Sequence, residues 1–378
     1  MQELFKAAVE RGASDIHIKA GDFMRARIHG ELQPLTQQKL TVDQVKGIAM
    51  QLIPHEDERE QFDKILDYDC SWGIPGVGRF RVNIMKQRGS PMIIMRAIPI
   101  EIPSVEDLGL PPIVNRIAAF ERGLVLVTGV TGSGKSSTQA AMINWMNHHK
   151  QHHIVTLENP IEFLHRDNKC SITQRDIGTD TDSFQTGLRS VLRQDPDVIL
   201  IGEMRDKTTI ETALKAAETG HLVISTLHTR NAVQTISRII AVFEPTEQEM
   251  IRVRLSESLQ AVISQRLVAR KEGGRVAAME VMLMTGTIRD CVRDADRMEE
   301  IADLINEGRS VYGSQTFDQH LMELVKSGEV DFEVAKAAAN NPSDFDLQMN
   351  MLGGGPSQGG GPQGTQGLAD EMSNMMGS

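Results

Sequence analysis

Gly129-Val130-Thr131-Gly132-Ser133-Gly134-Lys135-Ser136, followed by Ser137, satisfies the pattern G-x-x-x-x-G-K-[ST] at every constrained position. Each residue type has a physical reason. Glycines let successive backbone N–H groups turn inward and form a nest for phosphate oxygens. A helix opening at the loop adds its N-terminal dipole to the same positive site. Lys135 reaches the β- and γ-phosphates in such a loop, and the Ser136 hydroxyl is placed for Mg²⁺. The flanks agree. Leu124-Val125-Leu126-Val127 is an apolar run of strand length, as for a strand buried on both faces. After the loop, Ala141, Met142 and Trp145 fall on one helical face. Strand, glycine loop and helix in this order imply binding of a nucleoside triphosphate.

Working outward, the loop belongs to a repeated strand–helix grammar. Leu124–Val127, Ile154–Leu157, Val198–Ile201 and Leu222–Ile224 are apolar strand candidates, and helical patterns such as Phe184, Leu188, Val191 and Leu192 separate them. Alternation of this kind implies right-handed βαβ units and a parallel sheet. Polar residues follow each strand, and open parallel sheets carry ligands at the carboxyl ends of their strands. Four separate stretches are therefore expected to converge on one nucleotide.

Hydrolysis of ATP needs a metal-organising carboxylate, a group to position the attacking water, and cations for the developing charge. Glu203 ends the run Val198-Ile199-Leu200-Ile201-Gly202 in the Walker B position, placed to hold Mg²⁺ through water or to orient the nucleophile. Glu158-Asn159-Pro160-Ile161-Glu162 puts two carboxylates around a proline that prevents regular helix. One can serve as general base while the other braces the loop. Glu162 is the favoured base and Glu158 the alternative. His221 precedes one strand candidate and His228 follows it; either can sense the γ-phosphate or bridge to a neighbouring subunit.

The first hundred residues read as a smaller α/β domain. Ser14–Ile18, Met24–Ile28, Gly78–Ile84 and Met92–Arg96 alternate polar and apolar residues as half-buried strands do. His29-Gly30-Glu31 reads as a hairpin turn, and Thr41-Val42-Asp43-Gln44 as a capping box opening a helix. His17 and His29 read as structural or solvated. Arg79, Arg81, Arg88 and Arg96 form a basic strand pair, either a solvated face or a source of arginine contacts to an anion held elsewhere. Pro99, Pro103, Pro111 and Pro112 place the domain junction between Ile98 and Pro112. Further on, Thr246-Glu247-Gln248-Glu249 reads as a capping box leading a long helix through Leu255, Leu259 and Val262. The Gly/Pro/Gln-rich tail is expected to be disordered.

Composition bounds the rest. A net charge of −11 over 378 residues argues against broad nucleic-acid affinity. The three cysteines, Cys70, Cys170 and Cys291, form no C-x-x-C pair and no disulfide or zinc framework. No apolar run approaches the ~18–20 residues of a membrane helix, and the N-terminus lacks a signal layout, so a cytoplasmic location is expected.

Taken together, the Walker A loop, the acidic box Glu158–Glu162, the Walker B segment Asp195–Glu203 and the histidine box His221–His228 resemble the type IV pilus retraction ATPases, the PilT family within the secretion ATPases. Ile288-Arg289-Asp290-Cys291-Val292-Arg293 resembles that family's retraction motif, usually A-I-R-N-L-I-R-E, with both arginines kept. Asn159 stands where the family usually has Asp. The resemblance implies a PAS-like N-terminal domain, here 1–98, and a RecA-like ATPase domain, here 113–348; the proline-rich linker over 99–112 lies between them, and the tail over 349–378 is not a hallmark of that family. It implies a homo-hexamer using ATP and Mg²⁺, in which the N-terminal domain of one subunit helps close the site of another. Arg81 and Arg96 are the candidate arginine contacts. The expected partners are an inner-membrane pilus platform protein and the pilus machinery, with no nucleic acid and no direct membrane span. The location implied is peripheral, at the inner-membrane pilus base. An accessory or paralogous pilus or type II secretion ATPase is the alternative function. A nucleic-acid translocase and a nucleotide-gated switch without turnover are more distant ones.

Overall fold

The computed structural model describes residues 2–99 and 101–351. Its N-terminal part is a six-stranded sheet built from β1 (Ala13–Lys19), β2 (Arg25–Ile28), β3 (Glu31–Pro34), β4 (Asp67–Ile74), β5 (Gly78–Gln87) and β6 (Ser90–Ala97). The order is β3-β2-β1-β6-β5-β4, with every neighbouring pair antiparallel. The alternation seen in the sequence is the reason. Ile16, Ile18, Phe80, Val82, Ile84, Ile93 and Met95 point to a buried face, where Phe5 and the helix Val42–Leu52 cover them. Phe5 meets Trp72 edge-on, ring centroids 5.7 Å apart. The expected turn joins β2 to β3 with His29 and Gly30 both at positive φ (51° and 85°), as a two-residue hairpin of right-handed twist requires. Thr41 and Gln44 form the expected capping box.

The second sheet holds β7 (Gly123–Thr128), β8 (His153–Glu158), β9 (Ser171–Asp176), β10 (Val198–Ile201), β11 (Leu222–Leu227), β12 (Leu259–Ala269) and β13 (Arg275–Leu283). Its order is β13-β12-β7-β11-β10-β8-β9, and from β12 to β9 every pair is parallel. Strands β7, β10 and β11 are buried at every residue, which explains their unbroken apolar runs. The helices Lys135–His149, Phe184–Val191, Lys207–Glu218 and Ala232–Ile240 connect or follow these strands.

Contacts gather the described chain into two compact units: residues up to Leu267 with Met279–Thr316, and Val268–Ala278 with the residues from Phe317 on. Both sheets contribute to the first unit, where Ser71 and Arg79 of the N-terminal sheet bond to Asp176 at the end of β9. The second unit has its own core, in which Phe317, Leu321, Phe345 and Met349 pack with Val268 and Val276.

Three expectations are corrected. The helix after Pro245 is Pro245–Ser258, and Leu259 and Val262 lie in β12. The run Leu259-Gln260-Ala261-Val262-Ile263 fits either period, and pairing beside β7 settles it as strand. The capping box there is Glu244 with Glu247, two residues ahead of the one read from sequence, because Pro245 occupies the first helical position. Residues 349–351, expected in the disordered tail, belong instead to the helix Pro342–Met351, which buries Met349; the rest of that expected tail, 352–378, lies outside the described residues. Among the described residues, no helix is long and apolar enough to cross a membrane.

Candidate active site

The phosphate loop leaves the carboxyl end of β7 and enters the helix Lys135–His149. Gly129 sits at φ 146°, and a Cβ there would lie 2.5 Å from both the Gln265 carbonyl oxygen and Ser133 Oγ, so glycine is obligatory. Gly134, at φ 91°, is the N-cap, and no side chain caps the helix. Its first-turn N–H groups, Lys135 to Ser137, are thus left to a phosphate. Gln265 on β12 supports the loop from behind, with Nε2 donating to the Ser133 carbonyl at 2.6 Å. Lys135 Nζ donates to the carbonyls of Gly129 (3.0 Å) and Val130 (3.2 Å), folded across the loop mouth. Burial pushes the Lys135 amine down, while the charges of Glu162 and Glu203 push it back up. Those opposing effects put both carboxylates within electrostatic reach of the phosphate-binding lysine.

Glu203 follows β10 and is mostly shielded; its Oε2 pairs with Arg205 Nε at 2.7 Å and lies 3.8 Å from His228 Nε2. His228 follows β11, the strand between β7 and β10, so topology carries it to the same sheet edge. Burial, then the Lys135 charge, hold the His228 ring below its ordinary value, and Glu203 opposes them. The ring is consequently neutral near pH 7 and able to donate one hydrogen bond and accept another.

The two carboxylates of the acidic box differ sharply. Glu158 ends β8, and burial pushes its carboxyl up. It accepts from Thr156 Oγ1 (2.7 Å), Gln174 Nε2 (3.3 Å) and the Glu162 N–H (3.4 Å). Glu162, after the cis Asn159–Pro160 peptide, is exposed. One carboxyl group is thus committed to the loop that carries the other, and the accessible one is Glu162.

The remaining predicted residues separate. His221 stands before β11, at the amino end of the sheet, where Nδ1 contacts the Ala216 carbonyl at 2.9 Å. The six residues of β11 put roughly 20 Å of strand between it and His228. The structure thus separates the two histidine candidates: the strand they bound presents them at opposite ends, and His228 is the one at the phosphate-loop edge. Arg81 and Arg96 are register neighbours on β5 and β6. Arg96 is paired with Asp15 at 2.9 Å, whereas Arg81 lines a polar cleft of about 210 Å³ with Asn159, Pro160 and Asp176. In the retraction-motif helix Gly286–Arg293, Ile288 and Val292 are buried, and Arg293 bonds to Ser256 (3.0 Å) and Glu257 (3.3 Å). Neither these three residues nor Arg289 reach the phosphate loop through a described contact. Sequence reasoning missed Arg205, Gln174, Thr156 and Gln265. Arg205, two residues past Glu203, carried the only readable signal.

A phosphate loop, a parallel sheet and carboxylates converging at its carboxyl edge define a P-loop ATPase of α/β fold. Known proteins give the same answer in finer terms. The family model "Type II/IV secretion system protein" matches residues 1–334, and the chain belongs to that family. It is 44% identical over 343 residues to the "Type IV pilus retractation ATPase PilT" of Pseudomonas aeruginosa, covering 91% of this chain and 99% of that one. It is 43% identical over 335 residues to a "Twitching motility protein" of Neisseria gonorrhoeae, covering 87% and 89% respectively. The crystal structure of "the Pilus Retraction Motor PilT and Bound ADP" superposes with TM-score 0.82 at 43% identity, over 91% of this chain and 98% of the other.

Proposed function

We propose that this ATPase is the motor of type IV pilus retraction, coupling ATP hydrolysis to removal of pilin from the fibre base. The observation that carries the chemistry is the division of labour in the acidic box: a half-buried Glu158, bonded to Thr156, Gln174 and the Glu162 N–H, holds the loop on which Glu162 is left accessible. Lys135 and the first-turn N–H groups bind the phosphates. Glu162 accepts the proton of the attacking water. Neutral His228 and Arg205 stand beside Glu203, ready to exchange their contacts with it for contacts to the γ-phosphate. Mg²⁺ keeps several waters and binds through few protein oxygens. The Ser136 hydroxyl and, through water, Glu203 would hold it, and bound there it neutralises charge on the β- and γ-phosphates.

The names of the relatives support the pilus reading, and the low basic content disfavours a nucleic-acid track. A homo-hexamer, peripheral at the cytoplasmic side of the inner-membrane pilus base and acting on the platform protein, completes this model. Within it 1–98 and 113–348 are two domains joined by 99–112 and tied at Asp176, and Arg81 or Arg96 reaches a neighbour's nucleotide. Glu162→Gln tests the chemistry: it should bind ATP while kcat falls roughly 10²–10⁴-fold. Near-normal turnover would remove Glu162 from the reaction. A deletion strain tests the motor, with surface pili retained or increased and twitching lost. Loss of pili would point to assembly instead.

A further inference from the structure

The loop carrying Glu162 is held from outside the motif. Gln174 lies on β9, directly across from Thr156 of β8 in the parallel register. Its amide uses both ends on that loop. Oε1 accepts the His165 N–H at 2.8 Å, and Nε2 donates to the Phe163 carbonyl at 2.8 Å and to Glu158 Oε1 at 3.3 Å. Two of these contacts fall just past Glu162, and the third falls on the carboxylate that receives the Glu162 N–H. Glu162 therefore stands on a loop fastened on both sides by one amide. A primary amide matches this set because two donors and an acceptor are needed together. A carboxylate in its place would face the Phe163 carbonyl and Glu158 with no proton to offer.

We infer that Gln174 is the positioning residue of the hydrolytic reaction, fixing the distance between Glu162 and the attacking water without touching nucleotide. The inference rests on the reading of Glu162 as base. It predicts a loss in kcat with nucleotide binding kept, because the phosphate loop is built on β7 and β12, with β11, β10 and β8 between it and β9.

The test uses the full-length protein and four variants: Gln174→Leu, Gln174→Glu, Glu162→Gln, and Gln174→Leu combined with Glu162→Gln. Steady-state ATPase rates are measured from pH 5.5 to 8.5 alongside affinity for a fluorescent ADP analogue. Gln174→Leu should lower kcat about 10–100-fold, the scale of a misplacement near 1 Å, with affinity changed less than about 3-fold. The combined variant should be no slower than Glu162→Gln, since a residue acting through another adds nothing once that other is gone. In Gln174→Glu the introduced carboxyl regains a donor when protonated, so its rate relative to wild type should climb as pH falls. That profile decides the matter if Gln174→Leu fails to fold; a flat ratio overturns the inference. Unchanged kcat in Gln174→Leu, or losses that multiply in the combined variant below the residual rate of Glu162→Gln, overturns the positioning role only. Normal turnover in Glu162→Gln overturns the base assignment and this inference with it.

Discussion

Asp176 is the place where the N-terminal sheet is tied to the ATPase sheet, and its replacement should cost more than any surface contact. Its side chain is 3% exposed, and Oδ2 accepts from Arg79 Nη2 at 2.7 Å and from Ser71 Oγ at 2.5 Å. Arg79 is 23% exposed, and its Nε is already buried without a partner. Asp176→Ala would strand this guanidinium in a desolvated niche. Removing one partner of a buried pair costs about 3–5 kcal/mol; the partial exposure of Arg79 lowers this to roughly 2–3 kcal/mol, plus about 1 kcal/mol for the Ser71 bond. For a unit of this size, with an unfolding entropy of roughly 2.1 cal/mol/K per residue, the total corresponds to a fall in Tm of about 5–6 °C. The assay is thermal and urea unfolding of Asp176→Ala, Arg79→Met and the double variant. The double should be less destabilised than the sum of the singles, because neither partner is then left alone. Additive losses, or a change in Asp176→Ala below about 0.5 kcal/mol, would refute the account of Asp176 as the tie between the sheets.

Three other outcomes follow from the site. Lys135→Ala withdraws the point charge that serves the β- and γ-phosphates and should abolish ATPase activity and weaken nucleotide binding, measured by turnover and by ADP-analogue titration. Glu158→Gln should alter how stability depends on pH. The folded-state Glu158 carboxyl is raised by burial above its ordinary value of 4.5, so its stabilising contribution is complete below that pH and is lost as pH rises through the folded value. Since Gln does not titrate, the variant's Tm minus that of wild type should be flat in acid and grow toward neutrality; the reverse slope would place Glu158 as a stabilised carboxylate. Replacing Arg289 and Arg293 together by Ala should leave most basal ATPase activity, because the described partners of Arg293 lie on the helix Pro245–Ser258 and, at Asp290, on its own helix, away from the phosphate loop. Twitching should fail while pili accumulate, and lost turnover in intact rings would put these arginines in the chemistry.

The phosphate loop was legible from residues alone because its requirements are local. Gly129 and Gly134 adopt backbone conformations that other residues resist, and the lysine and serine act from fixed positions on one turn. The buried strands were equally readable, since a strand covered on both faces leaves an apolar run in the sequence. Glu203 could be placed for the same reason, as the polar residue that ends such a run. Strand β9 left no comparable trace. Ser171-Ile172-Thr173-Gln174-Arg175-Asp176 is an edge strand, mostly polar, and only pairing with β8 makes it a strand. Its two useful side chains, Gln174 and Asp176, were invisible with it.

Period alone could not decide Leu259–Ala269, where local apolar content suits helix and strand alike. The vacancy beside β7 made it β12 and brought Gln265 behind the phosphate loop. The histidines show the same limit from the other side. Their spacing around one strand was visible, but a strand has two ends about 20 Å apart, and only one of them stands at the edge that carries the phosphate loop. Likewise spacing alone does not separate Glu158 from Glu162, although Glu162 is favoured. Tertiary structure distinguishes their surroundings, holding a half-buried Glu158 among Thr156, Gln174 and the Glu162 N–H and leaving Glu162 exposed. Sequence alone thus determined the class of chemistry, because that depends on residue type and local backbone. Which carboxylate stays accessible, which histidine stands beside Glu203 and which amide braces the acidic loop depended on desolvation and on contacts between distant strands, and these exist only once the chain has folded.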